Sequence, residues 1–224
     1  MRTLESELRQ GLSKLPGLAL DDAQVGLLLD YLALIQKWTK VYNLTAVRDP
    51  AEMLTHHLLD SLAVVAPLRQ QLKQLPPSLQ SAVRLLDVGS GAGLPGVVIA
   101  ICCPDIAVDC VDTVGKKAAF IQQVAVTLKL SNLRGIHARV ESLTQRYSVV
   151  SSRAFASLAD FTNWSRAAVA EGGVWMALKG RHPADEVAAL PADVQVFHVE
   201  QLVVPGLDAE RCIVWLRCPG SLVA

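Results

Sequence analysis

The stretch Arg84-Leu-Leu-Asp-Val-Gly-Ser-Gly-Ala-Gly-Leu-Pro-Gly96 constrains this chain more than any other. An apolar strand, carrying Leu85, Leu86 and Val88, enters a turn that holds Gly89, Gly91 and Gly93. A helix is expected to follow over 94–103, with Pro95 in its first turn, where a missing N–H costs nothing. Such glycines let the backbone approach a ligand without obstruction by side chains. Asp87 stands just before the first glycine. An acid, a spacer and alternating glycines suit S-adenosylmethionine, whose methionine end carries an ammonium and a sulfonium. The competing frame, Gly91-Ala-Gly93-Leu-Pro-Gly96, fits the dinucleotide pattern G-x-G-x-x-G. In that frame Gly89 and Ser90 intrude between strand and first glycine, and Asp87 opposes a pyrophosphate at the positive helix terminus. A turn that only packs a helix is the plainer alternative. It does not require the acid that ends the next strand, Val108-Asp-Cys-Val-Asp112, where Asp112 can hold the ribose hydroxyls of either cofactor.

The chain's 224 residues fit one medium domain with an extension, and its 51% hydrophobic content excludes a disordered chain. No apolar run reaches the length of a bilayer, since Val97–Cys103 is bounded by Pro95 and Pro104. Arg2, Glu5, Glu7 and Arg9 leave no signal-peptide core, so a cytoplasmic protein is expected. The five cysteines include no C-x-x-C pair and read as reduced, buried thiols. His56 and His57 are adjacent and cannot face one metal from one side of a helix, so no metal site is expected. Net charge is zero, and composition gives no sign of nucleic-acid binding; such a reading depends on where the charges lie.

Residues 1–80 read as a helical extension and 81–224 as the main domain. Val25, Leu28, Leu29, Leu32, Ile35 and Trp38 repeat at helical spacing. Asp49-Pro50-Ala-Glu52 signals a second helix start, followed by Leu54, Leu58, Leu62, Val65, Leu68 and Leu72. The second part alternates strands (near 84–88, 107–112, 134–138, 148–152, 173–178, 194–204 and 212–217) with helices (near 94–103, 115–130, 157–171 and 183–190). Alternation implies a mainly parallel sheet covered on both faces. Pro205-Gly-Leu-Asp is too short for a helical crossover, so the last two strands should form an antiparallel hairpin. The expected fold is α/β, a Rossmann-like S-adenosylmethionine-dependent methyltransferase (class I) with an antiparallel last strand.

Ligands of such sheets bind at the carboxyl ends of the strands. Lys116, Lys117, Arg139, Arg153, Lys179, Arg181 and Arg211 all map to that rim. An ordinary solvated edge would look the same, but beside a cofactor pocket the cluster suggests phosphates. The turn after the fourth strand, Ser151-Ser-Arg-Ala-Phe155, has neither the cysteine nucleophile of pyrimidine C5 chemistry nor the Pro-Pro-aromatic turn of exocyclic amine chemistry. A guanine N7 lone pair needs no deprotonation, only alignment with the methyl group.

The chain resembles the bacterial 16S rRNA guanine-N7 methyltransferase family, RsmG or GidB. The residues that carry the resemblance are Trp38-Thr-Lys-Val-Tyr-Asn-Leu-Thr45, His57-Leu-Leu-Asp-Ser61, Asp87–Gly96, Asp112, Gly115-Lys-Lys117, Arg139-Val-Glu141, Ser152-Arg-Ala-Phe-Ala-Ser157, Ala177-Leu-Lys-Gly180 and Glu210-Arg211. It implies a target in the 530 loop of 16S rRNA, within the small ribosomal subunit or an assembly intermediate; a monomer is expected. The expected cofactor residues are Asp87, Gly89, Gly91, Leu94, Asp112, Val140, Glu141 and Arg153. Arg153 sits at the junction with the substrate as the catalytic residue, and Lys116, Lys117, Lys179, Arg181 and Arg211 meet RNA. His56, Ser148 and Cys212 depart from the residues common in the family. Two other functions remain compatible with the residues: a methyltransferase for a small molecule, and a cofactor-binding module without catalysis. A nicotinamide oxidoreductase is the weakest reading.

Overall fold

The computed structural model describes residues 3–219. Helices come first: α1 (Leu4–Leu12), α2 (Asp22–Tyr42), α3 (Pro50–Met53), a π-helical stretch (Leu54–Leu59), α4 (Asp60–Leu62), α5 (Val65–Leu72) and α6 (Pro77–Gln80). Then β1 (Arg84–Val88), α7 (Gly96–Cys102), β2 (Ala107–Asp112), α8 (Gly115–Thr127), β3 (Leu133–His137), β4 (Tyr147–Arg153), α9 (Leu158–Ser165), β5 (Val169–Lys179), α10 (Ala184–Ala188), β6 (Gln195–Leu202) and β7 (Arg211–Arg217) alternate.

Local chemistry sets the bounds of these elements. Asp21 accepts from the Gln24 N–H at 2.7 Å while the Gln24 side chain accepts from the Asp21 N–H at 3.2 Å, a reciprocal cap that starts α2. Asn43, in the left-handed region at φ 51°, ends it. Asp49 caps α3 through the N–H groups of Ala51 and Glu52. The apolar series that follows is not one helix: it widens into the π turn at Leu54–Leu59 and breaks after Leu62. Other bounds also differ from the expected ones. Pro95 lies at the N-cap of α7 and not inside its first turn. The helix expected to reach residue 171 ends as α9 at Ser165, because one 3₁₀ turn, Arg166–Ala168, leads straight into a longer β5.

The seven strands lie in the order β3-β2-β1-β4-β5-β7-β6. Pairings among β1 to β5 are parallel, while β7 runs antiparallel to both β5 and β6. Period-two alternation divides the core between the two faces. Leu85, Val149, Ile213 and Trp215 face one side, together with α7, α8 and the N-terminal helices. Leu86, Val150, Val214 and Leu216 face the other, with Leu158 and Phe161 of α9. Leu8, Leu28, Ile35 and Leu58 thus share one apolar core with the sheet.

Candidate active site

The glycine turn joins β1 to α7 at the carboxyl end of the sheet. Gly89, Gly91 and Gly93 have φ of 65°, 60° and 90°, a region that side chains disfavour. At Gly89 a Cβ would collide with the Phe155 ring, whereas at Gly91 it would meet open space. The N–H groups of the turn are spent internally. Those of Gly89 and Ser90 reach the Val111 carbonyl, and those of Gly93 and Leu94 the Ser90 carbonyl. Gly91 donates to Asp112 at 3.1 Å and Gly96 to Asp87 at 3.0 Å. A pyrophosphate needs such donors free. The turn offers it few, which argues against the dinucleotide frame.

Two cavities flank the turn. One, of about 400 Å³, is lined by Asp112, Lys117, Arg139, Val140, Glu141, Phe155 and Trp164. The other, of about 490 Å³, is lined by Thr45, His56, His57, Asp60, Gly91, Leu94, Arg153, Lys179, Arg211 and Cys212. Gly89 and Ala154 line both. The smaller cavity suits an adenosine: a carboxylate at the end of β2 for ribose hydroxyls, and Val140 beside Glu141 after β3 for an adenine. Asp112 is held there by the Val114 N–H at 2.8 Å and by Lys117 at 3.7 Å. Arg139, 2.9 Å from Glu141, holds the Glu141 carboxyl below its usual pKa.

Asp87, expected at the cofactor, is fully buried and lines neither cavity. Its carboxylate accepts from Gly96 N–H and from the Ser151 hydroxyl, both at 3.0 Å, and so braces the turn from behind. Burial raises its pKa from 3.8 to about 6, against the lowering effect of those two hydrogen bonds.

The larger cavity is assembled from distant segments. Arg153, closing β4, donates to Asp60 at 2.9 Å and to the His56 carbonyl at 3.2 Å. Arg211, opening β7, donates to the other Asp60 oxygen at 3.0 Å. Asp60 is 5% exposed. The Nε2 of His57 lies 2.9 Å from Thr45 Oγ1. Burial lowers the His57 pKa, and the neighbouring Arg153 adds to that effect. Residues 44–60 were legible as helices and a break, and their contribution to the site was missed. The signal available was the pair His57 and Asp60 on one face, which also reads as an intrahelical contact.

Most of the rim cations carry an acid partner. Lys117 pairs with Asp112, Arg139 with Glu141, Arg153 and Arg211 with Asp60, and Lys179 with Glu186 at 2.8 Å. Among the described residues Lys116 and Arg181 form no ion pair. Of the departures, His56 and Cys212 line the larger cavity, while Ser148 is buried within β4, its hydroxyl accepting from the Arg84 N–H at 3.4 Å. Among the described residues no disulfide joins the cysteines, and Cys102, Cys103, Cys110 and Cys212 are buried. Among the described residues no cluster of three or more His, Cys, Asp or Glu could hold a metal, and no helix is long and apolar enough to cross a membrane.

Comparison with solved structures agrees with this geometry. A SAM-dependent methyltransferase from Aquifex aeolicus superposes with a TM-score of 0.52 at 13% identity, covering 75% of this chain and 97% of that one. TrmN from Thermus thermophilus gives 0.55 at 18%, covering 74% and 53%. Fold and site together define a class I S-adenosylmethionine-dependent methyltransferase, and S-adenosylmethionine is its cofactor. The relative from Albidiferax ferrireducens named ribosomal RNA small subunit methyltransferase G is 72% identical, over 97% of this chain and 98% of its own length. The chain belongs to the family of rRNA small subunit methyltransferase G (GidB), whose model matches residues 24–214.

Proposed function

We propose that this enzyme methylates N7 of guanine 527 in the 530 loop of 16S rRNA, acting as a cytoplasmic monomer on the small subunit or an assembly intermediate. The observation that carries the reading is the pair of cavities meeting at Gly89 and Ala154. One is fitted to an adenosine, and the other is rimmed by Arg153 and Arg211 and large enough for a single base. When bound, S-adenosylmethionine supplies a methyl group activated by its sulfonium. Asp112 and Glu141 hold the adenosine side, and Gly91 leaves open space on the side of the larger cavity. Arg153, pinned by Asp60, lines the larger cavity next to Ala154, where the two cavities meet. There it orients the acceptor and offers its planar guanidinium to a phosphate or carboxylate. No side chain removes a proton, because the N7 lone pair is already available and direct displacement needs only alignment. An unstacked loop base reaches such a cavity more easily than a paired one. The segment 1–80 acts as an extension that completes the acceptor side through Thr45, His56 and Asp60.

The test is incubation with tritiated S-adenosylmethionine and small subunits lacking the modification, followed by mapping of the label. Label at N7 of that guanine is expected. Label at cytosine C5 or an exocyclic amine would refute the acceptor, and label in small molecules alone would refute the RNA substrate.

A further inference from the structure

The C-terminal end of α2 leaves two apolar side chains uncovered: Val41 is 70% and Tyr42 41% exposed. Tyr42 is firmly backed. Its ring centroid lies 5.0 Å from that of Trp38, and Trp38 lies 5.2 Å from Phe120 of α8. Phe120 is fully buried, so an aromatic ladder runs from the core to the surface and ends on Tyr42.

The helix directions place that end at the cofactor rim. Near the start of α2, Gln24 donates to the Ile101 carbonyl at the far end of α7. Two turns on, the Tyr31 hydroxyl donates to the Ala92 carbonyl in the glycine turn. α2 therefore climbs toward the carboxyl edge of the sheet, whereas α8 descends from it. One turn beyond the Trp38–Phe120 contact, Tyr42 on α2 and Lys116 on α8 emerge at the same edge. Lys40 lies in the last turn of α2. Arg48 is tied to this end by bonds to the Thr39 carbonyl at 3.0 Å and Asn43 Oδ1 at 2.6 Å. The nearby Asp49 carboxylate is engaged in capping α3. Leu44 and Thr45, two and three residues past Tyr42, line the larger cavity. Three residues of extended chain span about 10 Å, so platform and cavity lie within the reach of neighbouring nucleotides.

We propose that Tyr42, backed by Trp38, stacks on an unpaired base flanking the acceptor nucleotide, with Lys116 and Arg48 beside its phosphates. The proposal rests on the RNA reading above and adds to it a second contact on the strand. A ring at the surface, cations around it and a one-base cavity beside it match what a single strand presents: a π-face for the ring and phosphates for the cations. A protein partner would call for a broader apolar patch than two side chains.

The test uses the full chain and its Tyr42→Phe, Tyr42→Ala and Tyr42→Leu variants. Methyl transfer is measured on unmodified small subunits. Binding is measured to a short single-stranded RNA holding the acceptor guanine, with 2-aminopurine as its neighbour. Tyr42→Phe keeps the ring and should stay within twofold of the parent. Tyr42→Ala should raise KM and the RNA Kd roughly 5- to 100-fold, abolish quenching of the 2-aminopurine, and leave S-adenosylmethionine affinity unchanged. Tyr42→Leu retains apolar packing on Trp38 without a ring plane and should behave like the alanine variant. Methyl transfer and RNA binding unaffected by Tyr42→Ala and Tyr42→Leu would overturn the platform alone. Equal losses in Tyr42→Phe and Tyr42→Ala would assign the effect to the hydroxyl and overturn stacking. Absence of transfer to any RNA by the parent would overturn both readings.

Discussion

Replacing Asp60 by Asn tests the acceptor side at its most connected point. Asp60 receives Arg211 on one oxygen at 3.0 Å and Arg153 on the other at 2.9 Å, and its side chain is 6% exposed. Each charge-assisted bond contributes about 1.5–3 kcal/mol in a buried setting. The arginine side chains are 23% and 26% exposed, so water screens part of this, and the loss of both bonds should cost about 2–3 kcal/mol. Asparagine should recover little. It offers one oxygen to one arginine and turns its NH₂ toward the other, a donor facing a cation. Urea denaturation reads the stability, calorimetry the cofactor affinity and initial rates the transfer. Asp112 and Glu141 lie in the other cavity, so cofactor Kd should rise only as far as Arg153 holds the methionine carboxylate, and by less than turnover falls. The turnover should fall at least about tenfold, because Arg153 loses the partner that fixes it in the larger cavity. A variant with parental stability and turnover would refute the claim that Asp60 organises the two arginines. Lost stability with intact turnover would reduce Asp60 to a structural ion pair.

Three further outcomes follow from named contacts. Asp112→Ala should weaken S-adenosylmethionine by about 1–3 kcal/mol through loss of a charged acceptor, and calorimetry should show no binding of NAD to the parent chain. The double change Lys116→Ala and Arg181→Ala should lower the slope of log K against log salt for RNA by roughly 0.7–0.9 per lost phosphate contact; Lys179→Ala should add little, since Glu186 already holds that ammonium. Asp87 binds its proton more tightly folded, at about 6, than unfolded, so its ionisation opposes folding. That cost is absent below pH 3.8, grows through pH 6 and levels at about 3 kcal/mol. Asp87→Asn should therefore gain about 1.5 kcal/mol more over the parent at pH 8 than at pH 5 in urea denaturation, and an equal gain at both would refute the buried ionisation.

Elements with a strong local signature were legible in the sequence. The turn at Gly89–Gly93 and the acid at the end of β2 announce themselves through residue types that few other structures need. The antiparallel hairpin was legible because Pro205-Gly-Leu-Asp leaves no length for a crossover. The π turn at Leu54–Leu59 was not, because leucines four apart suit either helix type. The end of α9 was missed because Arg166-Ala-Ala continues a helical composition, and only the pairing of Tyr147 with Val169 draws the chain into the sheet. Asp87 was read by its neighbours in sequence, whereas the fold decides which way its carboxylate points: at Gly96 and Ser151, inward. The same limit applies to Asp60. Its partners lie 93 and 151 residues away, and no local pattern encodes such a meeting.

The acid partners of the rim explain how a chain of zero net charge can present a site of this kind. Asp60, Asp112, Glu141 and Glu186 each hold at least one rim cation in a set place. A mobile lysine or arginine gains about as much from one phosphate position as from the next, so it attracts RNA without orienting it. A cation tethered by a carboxylate attracts less strongly but directs its remaining donors one way. Arg153 and Arg211 use Asp60 as a common hinge point, which fixes the two guanidiniums relative to each other across the mouth of the cavity. Methyl transfer to a nitrogen that is already nucleophilic depends on such registration more than on affinity. On the proposed reading, Lys116 and Arg181, which form no ion pair among the described residues, would supply long-range attraction, and the pinned arginines would select the pose.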